Sequence, residues 1–241
     1  MRPMIDAPNL RRGLSANLLE FLDESPLERD SVLAAVRGFA EKLPSGSSVV
    51  DLGAGDAPYR ELFGHVSYLT VDWGHSPHEE AAGVDVVASV DTLPFEDETF
   101  DAAMLTQVLE HVRTPDVAVR EAHRVLRKGG PLLATVPFVW EEHERPFDFY
   151  RYSSAGVHHL LEDAGFTEIV VRARTDCFST LAQLMRNVGW AMGRAPDGLD
   201  ARRAEAAELL NRLSEAVLAM APLDAQRIFP LGWEAAARKA G

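Results

Sequence analysis

Cysteine is nearly absent from this chain of 241 residues, which contains Cys177 alone. One cysteine cannot form an internal disulfide, and it cannot supply the several thiolates of a cysteine-based zinc cluster. A chain without disulfides is compatible with the reducing conditions of the cytoplasm. The cysteine count therefore favours a cytoplasmic location.

Long apolar stretches are lacking as well. No run of apolar residues approaches the roughly 18–20 residues that a membrane-spanning helix needs. Residues 1–14 also lack the apolar segment of a secretory signal. We therefore expect neither a membrane partner nor secretion.

Basic residues are outnumbered by acidic ones. The chain has 24 lysines and arginines against 37 aspartates and glutamates, which gives a formal net charge of −13 at pH 7. A nucleic-acid partner would need a basic face to neutralise its phosphates. The charge balance therefore predicts that the chain has no nucleic-acid partner.

Internal repeats are lacking too, and from residue 47 onward short apolar runs alternate with helical patterns. Most of these runs show no polar alternation, which is typical of strands covered on both faces of a parallel sheet. Parallel neighbours need a crossover helix, so the alternation predicts a doubly wound α/β fold. Seven strands are expected, at residues 47–53, 67–73, 85–89, 100–107, 131–138, 166–175 and 228–239. In the last of them the alanines favour helix, but Pro230 and Gly232 lead us to predict a strand.

The most informative motif is VVDLGAGDAPY, at residues 49–59, where a buried strand runs into a glycine turn. Glycines let a ligand approach the backbone closely, and the start of a helix offers unpaired N–H donors. A dinucleotide fingerprint would need a third glycine where Pro58 stands, which disfavours an NAD-dependent oxidoreductase. Asp51, two residues before the first glycine, suits a ligand with an amine or sulfonium charge and would repel a diphosphate. A tight turn that binds nothing is the alternative interpretation.

Residues 46–175 resemble the class I S-adenosylmethionine-dependent methyltransferases, particularly the type 11 small-molecule group. The DLGAG element matches the first motif of that family, and YLTVD, DTLPF, LTQVLEHV and KGGPLLATVPF follow in the family's order. Where the family often has a further glycine, this chain has Ala57. The resemblance implies a Rossmann-like sheet of seven strands, mostly parallel with the last strand antiparallel, and helical cap elements at both ends of the chain. It also implies S-adenosylmethionine as the cofactor and S-adenosylhomocysteine as the product.

The resemblance further implies which residues bind the cofactor. Asp72, at the end of the second strand, would accept hydrogen bonds from both ribose hydroxyls, a geometry that suits a carboxylate. Gln107, at the end of the fourth strand, would face the cofactor and the acceptor, because ligands of open α/β sheets lie beyond the carboxyl ends of the strands. The expected cofactor-binding set is Asp51, Gly53, Ala54 and Gly55 at the methionine end, Asp72 at the ribose, Asp91, Thr92 and Leu93 at the adenine, and Gln107.

The segment HERPFDFYRY, at residues 143–152, combines charges and aromatic rings just after the fifth strand. Type 11 sequences resemble it with the pattern HE-x-P-Y-D-F-Y-R-Y-T, in which Phe147 replaces a common tyrosine. We interpret the segment as an active-site cover, whose rings exclude water while Asp148 or Arg151 fixes the loop through ion pairs. The expected acceptor-binding residues are Arg145, Phe149, Tyr150 and Tyr152.

Two of the eight histidines follow strands at the edge of the sheet where ligands bind. His143 is the predicted catalytic base, and His111 is the predicted orienting group or second candidate, with a structural role as the alternative for each. His75 and His78 follow the second strand on the ribose side, and His123 is expected to be exposed on a helix. The chain has no H-x-H or H-E-x-x-H spacing, so we expect no metal.

One methyltransferase domain is expected over residues 1–241. It would consist of a helical cap at 1–45, a cofactor-binding core at 46–175, and the last strand at 228–241. Between the core and the last strand, residues 176–227 are predicted to form a helical insertion that serves as a lid or as the contact of a homodimer.

The predicted function is methyl transfer from S-adenosylmethionine to a small-molecule acceptor. Oxygen is the preferred target, with a histidine that deprotonates or positions the acceptor. The alternatives are an N- or C-methyltransferase of a secondary metabolite, and a protein that binds S-adenosylmethionine without catalysis.

Overall fold

The structure is a computed structural model that describes residues 7–74, 83–193, 201–224 and 227–241. His75 and His78, which the sequence places beside the ribose, lie outside the described residues. One sheet of seven strands runs through the molecule in the order β3-β2-β1-β4-β5-β7-β6. Its strands are β1 (Ser48–Leu52), β2 (Ser67–Asp72), β3 (Val86–Val87), β4 (Ala102–Thr106), β5 (Pro131–Pro137), β6 (Phe166–Ala173) and β7 (Gly232–Lys239).

The strand directions confirm the predicted fold class. β1 pairs in parallel with β2 and β4, and the pairs β2–β3 and β4–β5 are parallel too. β7 inserts between β5 and β6 and runs antiparallel to both. The choice of a strand for the C-terminal segment is also confirmed, because Ala235 and Ala237 are buried in the sheet despite their helical propensity.

Helices cover both faces of the sheet, as a doubly wound fold requires. Alternate residues of one strand serve opposite faces: Val50 packs with the helices after β4 and β5, whereas Val49 packs with the N-terminal helices. The helices are α1 (Ala7–Leu10), α2 (Ala16–Asp23), α3 (Pro26–Ala40), α4 (Pro115–Val125), α5 (Ser154–Asp163), α6 (Cys177–Gly193) and α7 (Ala201–Leu218). Among the described residues, no helix combines the length and apolarity needed to cross a membrane.

Local details differ from the sequence expectations. The helical segment after the glycine turn is a single 3-10 turn, Arg60–Phe63. The third strand is shorter than the predicted 85–89 and consists of Val86–Val87. His123 is not an exposed helix residue, because its ring packs edge-to-face on Phe166 with the centroids 4.9 Å apart. Each difference depends on packing between segments that are distant in sequence, which local pattern does not reveal.

Candidate active site

A cavity of about 600 Å³ opens beyond the carboxyl ends of β1, β2 and β4, where ligands of open α/β sheets bind. Its volume falls within the range of about 300–1,000 Å³ that is typical of small-molecule sites. One wall contains the glycine turn and strand ends, namely Asp51, Gly53, Ala54, Gly55, Asp72, Asp91 and Gln107. The facing elements contribute Phe21, Glu28, Arg29, His111, Arg113, Trp140, His143, Glu144, Phe147 and Phe149, among others.

The glycine turn is held tightly by its neighbours. Gly53 has φ +75°, and a Cβ there would lie 2.6 Å from a methyl carbon of Val108, so a side chain does not fit. The backbone N–H groups of Gly53 and Ala54 donate to the carbonyl oxygen of Val71, at 2.8 and 3.0 Å. The N–H of Gly55 donates to Asp72 Oδ2 at 2.9 Å. The expected unpaired donors are therefore absent at residues 53–55, because β2 already accepts from all three.

Asp72 organises the end of β2. Its carboxylate is 6% exposed, accepts from Gly55 on one oxygen, and accepts from the N–H of Gly74 on the other at 3.3 Å. Each carboxylate oxygen can accept more than one hydrogen bond. Asp72 can therefore hold the turn and still present acceptors to a ligand in the cavity.

Asp51 lies deeper, at the end of β1, and is 2% exposed. Tyr68 donates its hydroxyl proton to Oδ2, while Oδ1 has no hydrogen-bond partner among the described residues. Burial raises the pKa of Asp51 to about 7; the Tyr68 bond opposes this shift, and the nearby Asp72 carboxylate adds to it. A cationic group in the cavity would stabilise the ionised form of Asp51, which burial disfavours.

The predicted adenine residues are split between the cavity and the core. Asp91 lines the cavity, and Thr114 Oγ1 lies 3.4 Å from its carboxylate. Leu93 is instead buried in the core at 6% exposure, and its N–H donates to a carboxylate oxygen of Glu121 at 2.9 Å. Thr92, like Leu93, is not among the cavity-lining residues, so the structure does not bring these two side chains to the cavity.

Gln107 ends β4 at the cavity wall. It has φ +55°, which is uncommon for a residue with a side chain. Its backbone N–H and its side-chain amide both bond Thr135 on β5, at 3.0 Å each. Those bonds hold Gln107 in the strained conformation that turns the chain toward His111.

Two imidazole rings meet at the cavity, one from each of two strand ends. His111 belongs to the 3-10 turn Leu109–His111 after β4, and His143 follows β5; their ring centroids are 4.8 Å apart at 77°. His111 Nδ1 lies 2.8 Å from the carbonyl oxygen of Phe147, which places a donated proton on Nδ1 and the lone pair on Nε2. Burial lowers the pKa of His111 against the opposing influence of Glu144, so its neutral form is favoured.

His143 is oriented in a similar way. Its Nδ1 lies 3.1 Å from Asp148 Oδ2 and 3.2 Å from the carbonyl oxygen of Glu141, both of which accept hydrogen bonds. The backbone N–H of His143 also donates to Asp148 Oδ2, at 2.8 Å. Arg151 Nη2 also lies 3.4 Å from His143 Nδ1. A proton on Nδ1 directed to Asp148 or Glu141 leaves the lone pair on Nε2.

Asp148 and Arg151 fix the loop that carries His143. Arg151 bonds both oxygens of Asp148, at 2.7 and 2.8 Å, and donates to the carbonyl oxygens of Trp140 and Glu141. Burial opposes ionisation of Asp148, but the bonds from Arg151 and from the backbone of His143 hold its pKa well below the usual range. Asp148 and Arg151 of the HERPFDFYRY segment thus stabilise the loop itself.

Of the four predicted acceptor residues, Phe149 alone is among those that line the cavity. Tyr150 and Tyr152 donate their hydroxyl protons to the carbonyl oxygens of Arg113 and Leu109, at 3.0 and 2.8 Å. Arg145 has a side chain that is 72% exposed and pairs with Glu142. The expectation that Arg145, Tyr150 and Tyr152 contact the acceptor stays a prediction that this geometry does not support, because each is bonded to another partner.

Of the two helical segments predicted to cover the site, the N-terminal one reaches the cavity. Phe21 of α2 and Glu28 and Arg29 of α3 line it, whereas no described residue of α6 or α7 does so. The lid prediction for residues 176–227 is not supported by this geometry. A homodimer contact there stays a prediction, which is compatible with the exposed side chains of Leu181 and Val188.

Glu110 was missed altogether. Its side chain is completely buried beside the two imidazoles, and neither carboxylate oxygen has a hydrogen-bond partner among the described residues. Burial raises the pKa of Glu110 to about 8, while the nearby N–H of its own backbone and the charges of Arg174 and Arg151 oppose the shift. A glutamate between Leu109 and His111 in a short segment gives no sequence signal of burial.

Known proteins resemble this chain in sequence and in fold. Residues 50–134 match a family model described as a methyltransferase domain of the type 11 group. An uncharacterized protein of Methanocaldococcus jannaschii is 25% identical over 62% of this chain and 77% of its own length. A tRNA (carboxymethyluridine(34)-5-O)-methyltransferase of Arabidopsis thaliana is 36% identical over 42% of this chain, and a ubiquinone/menaquinone biosynthesis C-methyltransferase of Bartonella tribocorum is 29% identical over 40%. This chain aligns with about a quarter of the plant protein's length (26%) and about half of the Bartonella protein's (48%).

Solved structures show the same fold at low identity. The [4+2]-cyclase SpnF superposes with a TM-score of 0.57 at 20% identity, covering 89% of this chain and 82% of the cyclase. A methyltransferase from Archaeoglobus fulgidus superposes with a TM-score of 0.56 at 16% identity, covering 91% of this chain and 99% of that protein. Residues 50–134, which contain the glycine turn and the strands around it, therefore match a methyltransferase domain, and the solved structures show the same fold over most of the chain.

Proposed function

We propose that this methyltransferase transfers the methyl group to a hydroxyl oxygen of a small-molecule acceptor. The observation that carries the proposal is the pair His111 and His143, whose rings meet at the cavity and whose Nδ1 atoms each face an oxygen of the protein. A sulfonium methyl is already activated, so an amine acceptor needs alignment and little more. A hydroxyl gains more from groups that promote its ionisation, which favours oxygen as the target.

The cofactor would occupy the wall formed by the glycine turn. We assign Asp51 to the ammonium group of its methionine part, Asp72 to the ribose hydroxyls and Asp91 to the adenine amine. This assignment is supported by the order of the three carboxylates along one cavity wall, at the ends of β1 and β2 and in the loop after β3. It leaves the cavity wall with His111, His143 and Phe149 for the acceptor.

Asp72→Ala is expected to weaken binding of S-adenosylhomocysteine by about 1–3 kcal/mol, because a charged hydrogen-bond acceptor is lost. Isothermal titration calorimetry measures the change. Asp72→Asn keeps an acceptor for the N–H of Gly55, so it separates loss of the ligand bond from loosening of the turn. Asp116→Ala is the control, since that carboxylate is exposed and pairs with Arg120 on α4. Equal affinity in the wild type and both Asp72 variants would remove Asp72 from the cofactor site.

The transfer step would proceed by direct displacement. The acceptor oxygen attacks the methyl carbon, a new C–O bond forms, and the C–S bond breaks with both electrons going to sulfur. S-adenosylhomocysteine leaves as a neutral thioether, and the hydroxyl proton passes to an imidazole and then to water. Phe147 and Phe149 would keep bulk water from the sulfonium during this step.

A small molecule is favoured over RNA by charge. The plant relative is named a tRNA methyltransferase. A protein that binds tRNA needs a basic face, and this chain carries a formal net charge of −13. Carbon and nitrogen remain the rival targets, and the Bartonella relative is named a C-methyltransferase. The [4+2]-cyclase with this fold shows that architecture by itself does not decide the reaction.

The methyl-¹³C form of S-adenosylmethionine tests the proposal directly. The purified protein is incubated with this cofactor and a metabolite extract, and two-dimensional ¹³C–¹H NMR identifies the atom that bears the label. We expect an O-methyl signal that depends on the protein. An N-methyl or C-methyl signal would contradict the oxygen assignment, and cofactor binding without any labelled product would favour a binding protein.

A further inference from the structure

The side chains around the two imidazoles form a second feature, which methyl transfer alone does not explain. Glu110 and His111 come from the 3-10 turn after β4, and His143 comes from the loop after β5. One donor atom from each of these residues lies within 4.8 Å of the other two. The carboxylate oxygens Glu110 Oε1 and Glu144 Oε2 both lie 3.9 Å from His111 Nε2.

Glu110 has an unusual environment for a carboxyl group. It is 0% exposed, and neither oxygen finds a hydrogen-bond donor among the described residues. Buried polar groups in folded proteins are nearly always paired, because desolvation without a partner is energetically costly. A carboxyl group held this way beside two imidazole nitrogens requires a partner that neither neighbouring ring provides.

Both imidazoles are arranged as metal ligands usually are. Each directs Nδ1 to an oxygen, the carbonyl of Phe147 for His111 and the carboxylate of Asp148 for His143. In metal sites this outer bond fixes the ring and leaves Nε2 as the ligand. Asp148 is in turn fixed by Arg151, so the outer contacts are themselves braced.

We infer that Glu110, His111 and His143 form a binding site for one divalent transition-metal ion of the zinc type at the acceptor end of the cavity. Two imidazole nitrogens and one carboxylate suit such an ion, whereas magnesium and calcium prefer sites made of oxygen. Catalytic zinc sites with two histidines and one glutamate keep a position open for water or substrate. Here the open position would face the cavity.

The ligand atoms must move together to bind an ion. Tetrahedral zinc with bonds of about 2.0–2.2 Å holds its ligand atoms roughly 3.3 Å apart. His111 Nε2 and Glu110 Oε1 are 3.9 Å apart, and the three ligand atoms lie within 4.8 Å of one another. Binding therefore requires the three side chains to close in on the ion from these separations.

This inference rests on the proposed function and specifies how the imidazoles assist. An acceptor hydroxyl bound to the cation would have a lowered pKa and would release its proton to water. Its oxygen would then attack the methyl carbon while the C–S bond breaks, as above. With the cation bound, the two rings would act through it, and the proton would pass directly to water; without the cation an imidazole would take it, as in the transfer step proposed above.

Zinc titration of the chelator-treated protein tests the site. We expect one Zn²⁺ per chain, measured by competition with a chromogenic chelator, and a Co²⁺ complex whose visible absorption reports nitrogen and oxygen ligands. Glu110→Gln and His111→Ala should each weaken Zn²⁺ binding about 10-fold or more. The fold of each variant is checked by thermal melting and by its affinity for S-adenosylhomocysteine.

His159→Ala is the matched control. That ring is exposed on α5 and lies 3.3 Å from Asp163, so it offers zinc an ordinary surface pair. Unchanged affinity in this variant supports the inference. Loss of binding in His159→Ala but not in Glu110→Gln would identify an adventitious ion only and would overturn the site.

Activity distinguishes the inference from the proposed function. O-methyl transfer by protein that binds no Zn²⁺ would overturn the metal site and leave the proposed function intact. Stoichiometric Zn²⁺ binding that Glu110→Gln weakens, together with an N-methylated product, would support the site and overturn the choice of oxygen.

Discussion

The His143→Ala variant is expected to lose about 10²-fold or more in kcat, with a smaller change in the KM of the acceptor. The imidazole assists when the hydroxyl oxygen gains negative charge, so its removal affects the transition state more than the bound ground state. This holds whether the ring takes the proton or holds a cation. Steady-state kinetics with the acceptor found by the labelling experiment measures both constants.

Binding of S-adenosylhomocysteine should be unchanged in that variant, because the cofactor wall belongs to β1 and β2 and His143 follows β5. Arg145→Ala, in the same loop, is the matched control, since its side chain is 72% exposed and pairs with Glu142. We expect the control to keep wild-type kcat. A His143→Ala variant that also works at full rate would limit the ring to shaping the loop.

The strand-end part of the cavity could be predicted from sequence because its positions depend on short-range structure, whereas Thr92 and Leu93 of the expected cofactor set do not line the cavity. A buried strand that ends in Asp51 and continues into Gly53 must deliver both residues to the carboxyl edge of the sheet, whatever else packs around it. The same holds for Asp72 at the end of β2. Both carboxylates do line the cavity.

The acceptor half could not be predicted because its side chains are directed by contacts between distant segments. Tyr152 resembles Phe149 as an aromatic residue in one loop, yet its hydroxyl bonds the carbonyl of Leu109, 43 positions earlier. The burial of Glu110 likewise depends on the loop after β5, whose residue Phe149 donates to its carbonyl oxygen. Local patterns of hydrophobicity do not predict either contact.

The sequence likewise does not say which of the two predicted covering segments reaches the cavity. The N-terminal helices and the pair α6 and α7 both have apolar stripes, and the stripes do not distinguish them. In the structure α3 packs on the sheet through apolar residues and is also bonded by Arg174, which follows β6 and donates to Glu28 on α3, 146 positions away. The contribution of this buried ion pair to stability is testable.

Arg174→Met should lower the free energy of unfolding by about 3–5 kcal/mol. The Arg174 side chain is 0% exposed and that of Glu28 is 11% exposed, with both contacts between their charged groups at 3.0 Å. Arg174 also donates to Ser31 Oγ at 2.6 Å. Removing the cation leaves Glu28 as a nearly buried charge without its partner. Denaturant unfolding followed by circular dichroism measures the change.

Two further variants make the result specific to the ion pair. Arg172→Met, two positions earlier on β6, removes an arginine that is 56% exposed and lies 3.7 Å from Glu234, so it should change stability by about 0.5 kcal/mol or less. Glu28→Gln in the Arg174→Met background should recover much of the loss, because replacing both partners removes the uncompensated charge. Equal stabilities for the Arg172 and Arg174 variants would mean that apolar packing alone holds α3 against the sheet. Glu28 also lines the cavity. The double variant lacks the Glu28 carboxylate but is expected to be stable, so weaker cofactor binding in it would show that the carboxylate itself contributes to binding.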